Sequence, residues 1–149
     1  MKSVYETAEV LNSTATPQSN EQKITVFIAE DSPIIRERLV AMLDELGGIK
    51  LVGQAASVPE AIAAIGQLKP DVVILDIRMP GGSGLDVLRA IAQAQPPPLI
   101  IILTNYPYRA YRKKCLAAGA DFFFDKSTEF EQIAAVIEQL RQRGTQRRA

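Results

Sequence analysis

The chain has no histidine and a single cysteine, Cys115, and these absences narrow its chemistry before any motif is read. One thiol cannot form an internal disulfide, which points to a reducing compartment. Without imidazole, a metal ion would have to be held by oxygen. No apolar run approaches the ~20 residues that cross a bilayer, so no membrane segment is expected. The first residues also lack the basic-then-apolar order of a secretory signal, since Val10 and Leu11 stand alone among polar neighbours. Cytoplasm is the default expectation. Nor is there an excess of charge, with 17 Lys and Arg against 17 Asp and Glu. The balance is uneven along the chain, however. The last nine residues carry Arg141, Arg143, Arg147 and Arg148 and no acid, so the remainder is net acidic by four. An acidic body argues against wholesale nucleic-acid binding. The basic end reads first as a solvated tail and second as a site for phosphate or an acidic partner.

What the 149 residues do contain is a strict alternation of strand-like and helix-like stretches. Residues 1–23 are polar and read as a flexible leader, 24–141 as the folded domain and 142–149 as the basic tail. Branched-aliphatic runs at Ile24–Ala29, Val72–Leu75 and Leu99–Leu103, with the stretch Ile49–Ala56 and the apolar stretch Ala120–Phe124, predict five strands. The intervening helices have readable ends. Asp31 or Ser32 caps the first, with Pro33 just inside, and Ile34, Ile35, Leu39, Met42, Leu43 and Leu46 form its buried side before Gly47-Gly48. Ser57 caps the second, which buries Ile62 and Ile65 and closes at Lys69-Pro70. The third follows Gly84 and carries Leu85, Val87, Leu88 and Ile91. Pro96-Pro97-Pro98 forbids helix before the fourth strand. The fourth helix is predicted over 107–118 and the last from Thr128 to Arg141.

Five β/α units in alternation predict an α/β fold: a doubly wound five-stranded parallel sheet, strand order 2-1-3-4-5, flavodoxin-like, with right-handed crossovers. In such sheets ligands bind at the carboxyl ends of the strands. Those ends deliver Glu30-Asp31, Asp76, Thr104 and, past the fifth strand, Lys126. Three carboxylates brought together raise one another's pKa unless a cation lies among them. An oxygen-only donor set in a histidine-free chain favours a hard divalent ion, Mg²⁺. Any one of these acids alone could be a helix cap; the group of three is better read as a metal site. Asp76 follows four apolar residues and has little freedom, and a fixed carboxylate beside a metal and a lysine is an adequate nucleophile toward phosphorus. Lys126 would then balance phosphoryl charge, while Thr104 and the backbone N–H groups after Asp76 would donate to its oxygens. The run Met79-Pro80-Gly81-Gly82-Ser83-Gly84 lacks the spacing of a P-loop and reads as loop shape.

From about Ile24 to Gln139 these residues resemble the receiver domain of two-component response regulators, in its chemotaxis-type, single-domain form. Glu30-Asp31 is similar to the family's acid pair, Asp76 to its phosphoacceptor, Met79-Pro80 with Gly84 to the loop that follows, Thr104 to its switch hydroxyl and Lys126 to its lysine. Phe123 matches the switch aromatic that turns inward as the hydroxyl moves. The resemblance implies a metal held by Asp31, Asp76 and the backbone carbonyl of Arg78, with Glu30 acting through water. It also implies a phosphoryl group taken from a sensor histidine kinase or phosphotransfer protein. Such a protein is no enzyme but a phosphoacceptor that assists its own phosphorylation and dephosphorylation. Output would pass through the fourth helix, fifth strand and fifth helix to a protein partner or a homodimer, with no folded DNA-binding domain in this chain. Tyr106, Tyr108 and Tyr111, interleaved with Arg109, Arg112, Lys113 and Lys114, would form part of that surface or an ordinary solvated helix face. Three residues depart from the family pattern. Ser127 replaces the usual proline, Asn105 is larger than the usual residue after the threonine, and Arg78 puts a long cation at the site mouth. Arg78 and Asn105 are therefore candidate modulators of acyl-phosphate lifetime. Two other classes fit the same residues. A phosphatase or phosphotransferase would want an acid at position 78, and an adaptor would use the fold without phosphorylation. A flavin protein is disfavoured by the acids in the crevice.

Overall fold

A computed structural model describes residues 23–143 of the chain. The five parallel strands are β1 (Ile24–Ala29), β2 (Ile49–Ala55), β3 (Val72–Leu75), β4 (Leu99–Thr104) and β5 (Phe122–Asp125), in the order β2-β1-β3-β4-β5. Between and after them run α1 (Pro33–Leu46), α2 (Val58–Leu68), α3 (Gly84–Ile91), α4 (Arg109–Ala117) and α5 (Gln132–Arg143). This is the expected doubly wound arrangement. β1, β3 and β4 are covered on both faces, which is why they read as near-continuous apolar runs rather than alternating ones. β2, at the edge, is only partly buried.

The sheet divides the core into two layers. Phe27, Ala29, Val73, Leu75, Ile100, Ile102 and Phe123 face α2, α3 and α4. Ile28, Ile74, Ile101, Leu103 and Phe124 face α1 and α5. Strand periodicity alone sorts them, because successive side chains leave opposite faces. Phe122 and Phe124 thus share one side, stacked with ring centroids 5.7 Å apart, and Phe123 takes the other.

Helix ends agree with the sequence reading at the residues that carry a mechanism and drift elsewhere. Ser32 rather than Asp31 is the α1 cap, its hydroxyl accepting from the Ile35 N–H. Ile34 corrects the predicted buried face: it is 70 % exposed, while Leu39 and Leu43 are buried and Ile35, Met42 and Leu46 pack at the margin. At 3.6 residues per turn Ile34 falls in line with Arg38, Ala41 and Glu45, all exposed. Ser57 occupies the α2 cap position without a side-chain cap bond, and Lys69 closes that helix at φ 50°. Ser83 and Asp86 form a capping box at α3. α4 begins at Arg109, not Pro107. α5 begins at Gln132 rather than Thr128, because residues 126–131 are spent in turns. It runs to Arg143, two residues past the expected domain end. The leader, apart from Lys23, and residues 144–149 of the tail lie outside the described residues. Among the described residues no helix is long and apolar enough to cross a membrane.

Candidate functional site

The strand ends converge as the sheet order requires. Register pairs Ala29 of β1 with Leu75 of β3, so the residues that follow, Glu30 and Asp76, emerge side by side. One carboxylate oxygen from each of Glu30, Asp31 and Asp76 lies within 4.8 Å of the other two. Glu30 and Asp76 are buried and Asp31 is exposed. Lys126 follows β5 and turns back across the edge: its Nζ is 3.0 Å from Glu30 Oε1 and 3.1 Å from Asp76 Oδ2.

Hydrogen bonds from nearby main-chain N–H groups and from Arg36 hold this arrangement. The Ser32 N–H donates to Glu30 Oε2 at 3.0 Å, and Arg36 from α1 donates through Nη1 to the Glu30 carbonyl at 2.8 Å. The Arg78 N–H points to Asp76 Oδ1 at 3.4 Å. After Asp76 the chain forms a two-rung antiparallel hairpin, Arg78–Met79 against Gly82–Ser83, of which only the glycines carry a signal in the sequence. The hairpin returns so closely that a Cβ on Gly84 would lie 2.2 Å from the Asp76 carbonyl oxygen and 2.6 Å from Ile77 Cα. Only glycine fits there. The Pro80 carbonyl accepts from the Val58 N–H at the start of α2, at 2.9 Å, which ties the hairpin to a second element.

The loop carrying Lys126 shows what replaces the proline expected at Ser127. The Asp125 side chain accepts from the Ser127 N–H at 2.8 Å, and Glu129 Oε1 accepts from the Asp125 N–H at 2.9 Å. Two carboxylates therefore brace the turn that a ring would otherwise stiffen.

The other predicted residues sit around the cluster. Thr104 ends β4 fully buried, its Oγ1 accepting from the Tyr106 N–H at 2.9 Å. Phe123 is buried in the layer with α2, α3 and α4, and Arg112 of α4 donates to its carbonyl at 3.2 Å. Asn105 and Arg78 are exposed, and the Arg78 guanidinium lies 4.2 Å from the Tyr106 ring centroid. Sequence reasoning missed Arg36, whose position in a helix carries no signal for its bond to Glu30. It also missed the clearance at Gly84, although a glycine at a helix start was itself a clue.

Electrostatics follow from the burial. Burial pushes the Glu30 carboxyl above its usual range and Asp76 adds to the rise, against the pull of Lys126 and the Ser32 N–H. Burial likewise raises Asp76, opposed chiefly by Lys126. For Lys126 burial works against the charge, but Asp76 and Glu30 outweigh it and hold the ammonium above its ordinary value. Three carboxylates face one ammonium, so two negative charges are left in excess. That excess, with oxygen donors only and one of them open to solvent, fits a divalent hard cation.

The family model for the response regulator receiver domain matches residues 26–138. The chain belongs to this family. Receiver domains are phosphorylated on an aspartate and bind Mg²⁺ at an acidic pocket, and this chain has such a pocket. Among similar curated proteins, the positive alginate biosynthesis regulatory protein of Pseudomonas aeruginosa is 42 % identical over 116 residues, covering 77 % of this chain and 46 % of the relative. The DNA-binding transcriptional activator DevR/DosR of Mycobacterium tuberculosis is 30 % identical over 115 residues, 77 % of this chain and 53 % of that protein. The response regulator domain of Thermotoga maritima CheB superposes with a TM-score of 0.70 at 28 % identity, covering 83 % of this chain and 96 % of that one. The chain spans about half the length of the curated relatives it matches. A chemotaxis-type, single-domain regulator without a DNA-binding domain does not follow from relatives of such mixed kind.

Proposed function

We propose that Asp76 is the residue that takes the phosphoryl group. The observation that carries this is its placement: a buried carboxylate on a strand end, 3.1 Å from the Lys126 ammonium and within 4.8 Å of two further acids. One Asp76 oxygen bonds to phosphorus as the bond from phosphorus to the donor's imidazole nitrogen breaks. That nitrogen keeps the electron pair and takes up a proton. The donor is a phosphohistidine on a sensor kinase or phosphotransfer protein, since this chain has no histidine of its own.

Glu30, Asp31, Asp76 and the backbone carbonyl of Arg78 would hold Mg²⁺, which supplies positive charge beside the transferring oxygens. Lys126 neutralises the remaining charge on the phosphoryl group, and the Thr104 hydroxyl donates to one of its oxygens. Thr104 and Phe123 then carry the change to the α4-β5-α5 surface, which meets a protein partner or a second copy. Arg78 and Asn105, both exposed at the mouth, set how long the acyl phosphate lasts. Arg78 also stands where an aspartyl-phosphate phosphatase would need its acid, which favours a signalling role over turnover.

Incubation with Mg²⁺ and acetyl phosphate tests the reading. A phosphoryl adduct seen by intact mass in the native protein and lost in Asp76→Asn is the expected result. No adduct, or one that survives the substitution, overturns it.

A further inference from the structure

Arg78 faces two ways. Its N–H points to Asp76, yet its guanidinium lies over the Tyr106 ring. Tyr106 is held from the other side by its own N–H, which donates to Thr104 Oγ1 at 2.9 Å. Both contacts come from residues bordering the site where phosphoryl charge would appear. From Tyr106 an aromatic row continues outward, with 6.4 Å between the ring centroids of Tyr106 and Tyr108 and 5.9 Å between those of Tyr108 and Tyr111. Tyr108 is 63 % exposed, so packing does little to fix the middle of the row. Tyr111 belongs to α4 and packs against the core layer that holds Phe123. A continuous path thus joins the neighbour of Asp76 to α4 without passing through Phe123.

We propose that Arg78 exchanges partners on phosphorylation. Its guanidinium lies on Tyr106 in the unmodified protein and contacts a phosphoryl oxygen in the modified one, and this exchange releases the tyrosine row ahead of α4. The proposal rests on Asp76 being the phosphoacceptor. An exposed cation–π contact is a weak interaction, whereas a guanidinium on a phosphoryl group makes charge-assisted, often bidentate hydrogen bonds. The stronger partner appears two residues along the chain from a side chain that solvent already surrounds. Nothing in the core has to move first.

The chain has no tryptophan and four tyrosines, three of them in the row. Near-ultraviolet circular dichroism in the tyrosine band therefore reports the row directly. The full chain is treated with Mg²⁺ and acetyl phosphate, and the adduct is measured by intact mass in the same samples. In the native protein the tyrosine band is expected to change as the adduct forms. In Arg78→Met the amount and lifetime of the adduct are expected to change, so the band is compared per mole of adduct: on that scale Arg78→Met and Tyr106→Leu should each lose the change. Arg78→Lys, which keeps a cation, should retain part of it. Urea midpoints close to the native value would show that all three variants are folded. An adduct in Arg78→Met accompanied by the full native change overturns the proposal, as does an adduct in the native protein with no change in the band. Absence of any adduct in the native protein overturns the Asp76 reading, and the partner exchange falls with it.

Discussion

Lys126→Met removes one ammonium and keeps much of the apolar stem. In the folded chain that ammonium lies 3.0 Å from Glu30 and 3.1 Å from Asp76, and none of the three side chains is more than 7 % exposed. Taking away one partner of a buried ion pair costs about 3–5 kcal/mol, because the group left behind stays desolvated. Glu30 and Asp76 are already raised and can escape by taking up protons, which places the expected cost near the lower end, about 3 kcal/mol. With an m-value of about 1.5 kcal/mol/M, the urea midpoint in EDTA should fall by about 2 M. The sign of the pH dependence follows from the two kinds of group. Lys126 is raised in the fold, so its contribution is complete below the ordinary lysine value and disappears only as pH climbs past the raised one. The raised carboxyls favour the fold while protonated and oppose it once ionised, an effect that Lys126 offsets in the native protein. The deficit of Lys126→Met should therefore be small in acid and grow to its full size as pH rises through the raised carboxyl values. Saturating Mg²⁺, at 100 times its dissociation constant, should return about 2.7 kcal/mol. The assay is urea unfolding followed by far-ultraviolet circular dichroism, at about pH 5 and about pH 8, with and without Mg²⁺. A loss below about 1 kcal/mol at the higher pH, or a deficit that does not shrink in acid, would refute the reasoning.

Three further outcomes are expected. Asp76→Asn replaces a raised carboxylate by a neutral group, so in EDTA at neutral pH its urea midpoint should rise even as it loses the adduct; a clear loss of stability would count against the crowded-acid picture. Gly84→Ala drives a methyl into the backbone of Asp76 and Ile77, which cannot yield as a side chain could, and should cost about 2–3 kcal/mol and slow adduct formation; an innocuous substitution would mean that the hairpin tolerates a shift. Thr104→Ala leaves the half-buried Tyr106 N–H without its acceptor, at about 1 kcal/mol, and should still accept phosphate while losing the phosphorylation-induced change in partner binding or dimerisation. Unchanged coupling in that variant would remove Thr104 from the mechanism.

Most of the fold was legible because its signals are physical rather than statistical. Four aliphatic residues in a row before Asp76 suit a strand covered on both faces, and five strand-like stretches alternating with helices leave few topologies. The positions of Glu30, Asp76, Thr104 and Lys126 follow from the same logic, since a strand end is the most exactly defined point in a parallel sheet. The losses came where side-chain bonds compete with propensity. Thr128 to Glu131 look helical, but Asp125 and Glu129 spend their hydrogen bonds on the Lys126 turn and delay α5 to Gln132. Ile34 looks like core by composition and is not, because the inward stripe is already defined by Leu39 and Leu43. The approach of Gly84 to Asp76 is a contact between two backbones, which side-chain chemistry does not encode.

The two core layers make the sheet a bulkhead. Phe123 lies on the side of α2, α3 and α4, whereas Phe124 and the residues under α1 and α5 lie on the other. The reorientation of Phe123 proposed above would press on α4 through shared packing and meet the opposite layer through the hydrogen-bonded strands. Motion on one side is thereby insulated from the other. On the proposed reading, output through α4 would leave in place the first turn of α1, whose Arg36 donates to the Glu30 carbonyl.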